Sequence, residues 1–189
     1  MRALRSVLAL VLALTLSACS SDVQVGVEAY ERGDYAAALE ELRPLAERGD
    51  DRAQYFLGSM YAKGEGIPQD PAEAAKWYQL AAEQGDAGAQ FSLGGLYFYG
   101  AGVPRDVAEA VKWYRRAAER GDLEAQIQLG TMYENGVGLP QDYVLSHMWF
   151  NLAATHLPAA AVNRDFIEKS LTPDQMAEAH RLAREWKPK

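Results

Sequence analysis

A five-residue pattern recurs through the middle of the chain at a constant interval of 36 residues. The segment Gln54-Tyr55-Phe56-Leu57-Gly58 is matched by segments that begin at Gln90 and Gln126 (90 minus 54, 126 minus 90). The same interval relates further tyrosines, glycines, prolines and tryptophans: Tyr61, Tyr97 and Tyr133; Gly64, Gly100 and Gly136; Pro68, Pro104 and Pro140; Trp77, Trp113 and Trp149. A fixed period of this length is typical of a solenoid, whose units bury their apolar faces against their neighbours.

The sequence pattern of each unit predicts two helices. In the middle unit, Ala89, Leu93 and Tyr97 fall at helical spacing on one face, and Ala110 and Trp113 lie on the corresponding face of a second helix. We therefore expect an all-α fold whose core consists of the repeated large residues: Leu57, Leu93, Leu129, Tyr61, Tyr97, Tyr133, Trp77, Trp113 and Trp149.

Glycine and aspartate mark the predicted helix boundaries. Gly100 suits the left-handed backbone that ends a helix, and Asp106 suits the N-cap of the next one. Gly-Asp pairs at 49 and 50, 85 and 86, and 121 and 122 fit the same roles. These residue types also occur in phosphate-binding and metal-binding motifs. Their recurrence at every boundary favours capping, which explains all of them at once.

The three units, residues 50–85, 86–121 and 122–157, resemble Sel-one-like repeats, the branch of tetratricopeptide-type solenoids with a longer loop between the paired helices. The resemblance implies a right-handed α/α superhelical solenoid. Residues 27–49 resemble a degenerate tetratricopeptide-like first repeat. Residues 158–189 predict a capping helix pair, with a capping box at Thr172 opening its second helix.

The N-terminus predicts an export signal. Arg2 and Arg5 precede the apolar run from Val7 to Leu16, which is short for a membrane span. The ending Leu16-Ser17-Ala18-Cys19 resembles the bacterial lipobox, which implies cleavage after residue 18 and lipid attachment at Cys19. Residues 19–26 would then be the lipidated tether. The alternative is an ordinary secretory signal with a chance cysteine. In the lipoproteins that this motif resembles, an aspartate directly after the cysteine implies retention in the inner membrane, so the resemblance with Ser20 implies the outer membrane.

The composition limits the partners. Loss of residues 1–18 would remove two arginines and no acid, which leaves a net charge of −9 (17 minus 26). So acidic a chain is a poor candidate for binding nucleic acid or anionic lipid headgroups. Cys19 is the only cysteine, so an acylated mature chain would form no disulfide.

The sequence gives little indication of a catalytic site. None of His147, His156 and His180 has a two-ligand helical spacing beside an acid, so we expect each to be solvated or capping. We find no serine elbow or Ser-x-x-Lys pair, and we expect no catalytic residue, metal, cofactor or small-molecule substrate. Some cysteine-rich members of the family are assigned penicillin-binding or β-lactamase activity. A cell-wall or β-lactam hydrolase therefore stays as an alternative, although the chain lacks their paired cysteines.

The face of each first helix that points away from its partner should line the concave side of the solenoid. In the middle repeat this face carries Phe98 and Tyr99 where the neighbouring repeats carry Ala62-Lys63 and Glu134-Asn135. Rigid aromatics are common anchors of binding sites. The candidate protein-binding residues are Phe98, Tyr99, Phe91, Tyr55, Lys63, Arg52 and Thr131. The alternative is that Tyr55 and Phe91 pack between repeats and that Phe98 and Tyr99 cover the following loop.

Together these patterns predict a lipid-anchored periplasmic adaptor whose concave groove holds a segment of an envelope protein. The scaffold and the anchor come from the residues, and the adaptor role is what the family resemblance implies. A protein exposed on the cell surface that binds a host protein is a further alternative.

Overall fold

The computed structural model describes residues 23–188 of the 189-residue chain. The expected signal segment and Cys19 lie outside the described residues. Within residues 23–188 the regular secondary structure comprises ten α-helices and no strand. They are α1 (residues 23–31), α2 (Tyr35–Glu47), α3 (Asp51–Lys63), α4 (Pro71–Gln84), α5 (Ala87–Tyr99), α6 (Val107–Glu119), α7 (Leu123–Asn135), α8 (Tyr143–Ala154), α9 (Ala160–Glu168) and α10 (Pro173–Glu185). None of these described helices is long and apolar enough to cross a bilayer.

The chain divides into two compact units between Ala81 and Ala82, within α4. The core of the first unit includes Val27, Leu42, Leu57 and Met60, each at most 1% exposed. The core of the second unit is built by α6, α7 and α8, with apolar side chains of α5 and α10 packed against it. Each unit therefore has its own buried apolar cluster.

The start of the first unit differs from the expected tether. Residues 23–26 belong to α1, and Val23 is only 6% exposed. Gly26 lies so close to α2 that a Cβ added to it would be 2.6 Å from Cγ of Leu42. In the structure residues 23–26 are helical rather than extended, with Val23 and Gly26 buried and Val25 53% exposed.

The repeated Leu-Gly pairs make room for an aromatic ring. A Cβ added to Gly58 would lie 2.8 Å from the ring of Tyr78, and one added to Gly94 would lie 2.8 Å from the ring of Tyr114. In the last repeat the same position, Gly130, is covered by Phe150. The leucines beside these glycines, Leu57, Leu93 and Leu129, are at most 1% exposed. The glycine thus lets the two helices of a repeat approach closely.

The helix boundaries follow the Gly-Asp pattern. The carboxylates of Asp50, Asp86 and Asp122 accept backbone N–H groups of the first turns of α3, α5 and α7 at 2.8, 2.6 and 2.7 Å. Asp106 caps α6 in the same way, and Gly100 ends α5 with φ 72°. These short-range contacts satisfy N–H groups that a helix cannot pair internally.

The other repeated aromatics sit around the two cores. Trp113 and Trp149 are 6% and 7% exposed, whereas Trp77 is half-buried against the first core. Three half-buried tyrosines pack at the edges of the cores: Tyr61 in the first unit, and Tyr97 and Tyr133 in the second.

A helix pair ends the second unit. The Thr172 hydroxyl accepts the Gln175 N–H, and the Gln175 side chain accepts the Thr172 N–H, so the expected capping box is present. Trp186 follows α10 and meets Trp149 with ring centroids 6.4 Å apart. Ile167 of α9 and Ala179 of α10 are at most 1% exposed. The pair therefore covers the apolar side of α8.

Candidate functional site

The C-terminal end of α5 presents Phe98 and Tyr99, which we call the α5 aromatic pair. The Tyr99 side chain is 75% exposed, whereas Phe98 is half-buried against the core of the second unit. Their rings meet edge to face with centroids 5.0 Å apart. Arg105 Nε donates to the Phe98 carbonyl at 3.0 Å, which fixes the following loop beside the pair. The exposed Tyr99 ring thus lies against the Phe98 ring, beside the fixed loop that follows α5.

The rest of this α5 face is partly internal. The Phe91 ring lies 5.5 Å from the ring of Tyr114, so it packs within its own repeat. Burial raises the pKa of Tyr114 to about 12. A Cβ at Gly95 would meet only the Tyr114 hydroxyl, at 3.7 Å, which is ordinary van der Waals contact. Three predicted binding residues lie on α5. Tyr99 faces solvent, Phe98 is half-buried and Phe91 packs inward.

Thr131, on α7, is half-buried. Its Oγ1 donates to the carbonyl of Ile127 at 3.1 Å, one turn earlier in the same helix. This bond occupies the hydroxyl hydrogen within α7 and leaves the oxygen as an acceptor.

The candidates in the first unit, Arg52, Tyr55 and Lys63, make contacts within that unit. Arg52 Nη1 donates to Gln24 Oε1 at 3.0 Å, and Lys63 Nζ donates to the Tyr30 hydroxyl at 2.9 Å. The Tyr55 ring lies against Phe56 and Tyr78, with centroids 5.2 and 5.9 Å away. These contacts stabilise the unit and leave less of each side chain free for a partner.

The Lys63 contact belongs to a polar cluster. Tyr30 and Tyr35 both donate their hydroxyl protons to Glu65, at 2.6 and 3.2 Å. Burial, together with the Glu65 carboxylate, raises the pKa of Tyr30. Lys63 lies 3.8 Å from the same carboxylate, so its charge is partly balanced inside the unit.

The second unit brings together three titratable residues that lie far apart in the sequence. His147 on α8 is fully buried, and its Nε2 lies 3.2 Å from Oε1 of Glu168 on α9. The His180 ring on α10 meets the His147 ring edge to face, with centroids 5.3 Å apart. The prediction that His147 is solvated or capping is wrong, because α9 and α10 cover it.

Burial lowers the pKa of His147, while the hydrogen bond with Glu168 acts in the opposite direction. The neutral imidazole is therefore favoured. Its Nδ1 is buried without a hydrogen-bond partner among the described residues. One signal in the sequence did point to this site. The preceding repeats have Ala75 and Val111 at the position of His147, so a polar residue replaces an apolar one.

Two clefts also lie in the second unit. One, of about 380 Å³, is lined by groups of both charges, including Glu83, Arg116, Glu119 and Arg120. The other, of about 550 Å³, lies between the start of α8 and α10 and includes Tyr143, Leu145, Gln175 and Leu182. Neither coincides with the α5 aromatic pair.

The repeat frame, with its Leu-Gly contacts and capped helix pairs, matches a known family. The Sel1 repeat model matches residues 51–86, 87–122 and 123–156. The chain belongs to the Sel1 repeat family. Proteins built from Sel1 repeats generally mediate protein–protein interactions, and the family is typically non-catalytic.

Two solved structures share the fold. A Sel1 repeat protein from Oxalobacter formigenes has a TM-score of 0.75 and 31% identity, over 86% of this chain and 70% of that one. A protective antigen with an SLR fold from uropathogenic Escherichia coli has a TM-score of 0.54 and 32% identity, over 89% of this chain and 45% of that one. These matches confirm the all-α solenoid fold class.

One curated relative matches over a shorter stretch. A negative regulator of exopolysaccharide production from Rhizobium leguminosarum bv. viciae is 42% identical over 53 residues, or 28% of this chain. The match spans 20% of the length of that relative.

Proposed function

We propose that this Sel1 repeat protein is a lipid-anchored envelope adaptor that holds a segment of a partner protein against the α5 aromatic pair. The observation that carries the proposal is Tyr99, which is 75% exposed at the end of α5. An exposed tyrosine supplies a large apolar area and a hydroxyl while losing little conformational freedom on binding.

The neighbouring groups support an anchor role. The Phe98 ring contacts the Tyr99 ring with centroids 5.0 Å apart, and Gly95, one turn earlier, has no side chain to cover the surface beside them. A hot spot of this kind needs a rigid aromatic and a shallow recess that excludes water when the partner docks. Mediating protein–protein interactions is also the general role of Sel1 repeat proteins.

The membrane anchor rests on the sequence alone. The lipobox-like Leu16-Ser17-Ala18-Cys19 would place two or three acyl chains at the N-terminus, and two chains suffice for stable attachment. Replacement of Cys19 by serine is expected to abolish the incorporation of labelled palmitate into the protein. Equal incorporation into the variant and the wild type would contradict the anchor.

The partner surface is tested by site-specific photocrosslinking in cells. A photoreactive phenylalanine analogue is placed at Tyr99 and, as the matched control, at Phe166, an aromatic of α9 that is 60% exposed. We expect one protein to crosslink at position 99 and not at position 166. The purified crosslinked protein should bind the wild type and bind the Tyr99→Ala variant at least tenfold more weakly.

Circular dichroism checks that each variant is folded like the wild type. The Phe98→Ala, Tyr99→Ala double variant extends the test to the half-buried ring. Equal binding of the partner by wild type and Tyr99→Ala would contradict the proposed site. Nitrocefin turnover by the purified protein would instead support the hydrolase alternative.

The surface-exposed alternative is supported by one relative, the protective antigen of uropathogenic Escherichia coli. Protease treatment of intact cells distinguishes it from a periplasmic adaptor. A periplasmic protein is expected to resist the protease until the outer membrane is opened, and degradation on intact cells would favour the surface-exposed role.

A further inference from the structure

We propose that His147, Glu168 and His180 bind a divalent transition-metal ion, with Zn²⁺ as the best match, at the point where α8, α9 and α10 meet. The candidate ligand atoms of the three side chains all lie within 4.8 Å of one another. This site lies on the terminal helices of the second unit and is separate from the α5 aromatic pair.

The donor set selects the class of metal. Two imidazole nitrogens and one carboxylate oxygen suit Zn²⁺ and its transition-metal neighbours, whereas Mg²⁺ and Ca²⁺ prefer oxygen donors alone. Three protein ligands would leave a fourth position of tetrahedral Zn²⁺ for water. Glu168 is 39% exposed, so an ion and its water can reach the site from solvent.

The geometry is close to that of a bound site. Ligand atoms around tetrahedral Zn²⁺ lie roughly 3.4 Å apart, since each bond is about 2.0–2.2 Å long. His147 Nε2 and Glu168 Oε1 are already 3.2 Å apart. The ligand atoms lie within 4.8 Å of one another, so the most distant pair must approach by at most roughly 1.4 Å (4.8 minus 3.4). His180 is only half-buried, so its ring has room for that rotation.

The surroundings tolerate a cation. Arg164 brings a positive charge to 3.7 Å from Glu168 Oε1. Its guanidinium is also bonded to Asp165, at 2.6 and 2.9 Å. Arg164, Asp165 and Glu168 together carry −1 (+1 −1 −1), so a metal ion meets a net negative environment there. His147 is fully buried on α8, which fixes one ligand rigidly.

A bound ion would join α8, α9 and α10 at one point, since each helix supplies one of the three ligands. Any ligand that binds the folded state and not the unfolded one raises the stability of the fold. The inferred role of the metal is therefore to fasten α9 and α10 onto α8 and so to hold the end of the solenoid in place.

The test uses the protein as the cell makes it, purified in mild detergent without a histidine tag. Calorimetric titration with Zn²⁺ should give one ion per chain, and Co²⁺ should give the visible absorption of a tetrahedral site with nitrogen and oxygen ligands. The variants His180→Ala and Glu168→Gln should each bind Zn²⁺ about tenfold more weakly or worse. The matched control is His156→Ala, an exposed histidine outside the cluster, which should bind as the wild type does.

Thermal unfolding gives a second readout. Zn²⁺ should raise the unfolding midpoint of the wild type and of His156→Ala equally, and should raise that of His180→Ala by clearly less at the same Zn²⁺ concentration. His147 is left in place, since truncating a fully buried side chain would disturb α8 itself. Absence of stoichiometric Zn²⁺ binding to the wild type would overturn the proposal. Equal binding by wild type, His180→Ala and the conservative Glu168→Gln variant would overturn it as well.

Discussion

Gly94 has no room for a side chain, because the Tyr114 ring lies where a Cβ would be. The added atom would come within 2.8 Å of Cδ1 of that ring. Gly94→Ala should therefore lower the free energy of unfolding by about 1–3 kcal/mol, as overpacking of a core does. Urea unfolding followed by circular dichroism measures the change.

The adjacent residue supplies the control. A Cβ at Gly95 would meet only the Tyr114 hydroxyl, at 3.7 Å, which is ordinary contact. Gly95→Ala should be neutral or stabilising by up to about 1 kcal/mol, since alanine favours the helix. Equal effects of the two substitutions on the free energy of unfolding would show that the Tyr114 ring contact is not the reason why position 94 requires glycine.

Asp122 caps α7 from a half-buried position, and burial raises the pKa of its carboxyl. The unfolded carboxyl titrates near its ordinary pKa of about 3.9. Because the folded pKa is higher, the folded state holds the proton more tightly, and the charged form destabilises it. The protonated Asp122 carboxyl therefore stabilises the fold below the unfolded pKa. This stabilisation is lost as the pH rises through the unfolded and then the folded pKa, and the loss is complete at neutral pH.

Asp122→Asn keeps an oxygen that can accept the Ala125 N–H and removes the charge. The variant should be at least as stable as the wild type at neutral pH, and any advantage should disappear below the unfolded pKa. Thermal unfolding at both pH values measures this. In the exposed cap Asp106, the same substitution should slightly destabilise at neutral pH, because it removes a favourable charge at a helix N-terminus. A stability loss for Asp122→Asn that grows with pH would contradict the burial argument.

Helix α10 depends on the capping box that begins it. Thr172→Ala removes the hydroxyl that accepts the Gln175 N–H, which should reduce the stability of this helix by about 1 kcal/mol. Because α10 packs mainly on α8 among the described helices, the effect should be local: hydrogen exchange should speed up within Pro173–Glu185 and not within α6 or α7. Thr155→Ala is the control, since Thr155 is exposed and bonds a carbonyl at the end of α8. Uniform acceleration throughout the second unit would contradict local unfolding.

The helix ends that are set by short-range capping hydrogen bonds could be predicted from the sequence. Asp50, Asp86 and Asp122 each bond the N–H group three residues later, and such short-range bonds follow from residue type and spacing. Residues 23–26 could not be predicted in this way. Their helix depends on burial against Leu42, which lies outside any local pattern.

The candidate site shows the same limit. The sequence placed Phe98 and Tyr99 on one helix end, and the structure has the two rings in contact there. Which ring faces solvent depends on packing with the core of the second unit, which no spacing rule specifies. The cluster of His147, Glu168 and His180 was missed because three helices must fold together before its members meet.

At the scale of the whole molecule, a repeat protein has an apolar face left over at each end. In this chain α9 and α10 cover that face on α8, and Trp186 meets Trp149 there. The family frame predicts such a cap, because every other helix pair has a following repeat to pack against. The partner of the adaptor is not determined at this scale, since solenoids keep the frame while the exposed residues vary.

Removal of residues 158–189 should therefore damage the solubility of the whole protein. It would remove Trp186 from Trp149, now 7% exposed, and remove Glu168 and His180 from His147, now 0% exposed. We expect this shortened chain to self-associate and to unfold at a lower temperature, since terminal repeats without a polar outer face are poorly soluble. Size-exclusion chromatography with light scattering and thermal circular dichroism measure both effects. A chain that ends at Trp186 keeps the cap and should behave as the wild type does. A shortened chain that stays monomeric with an unchanged midpoint would mean that α8 is stable without its cover, and that α9 and α10 serve binding rather than capping.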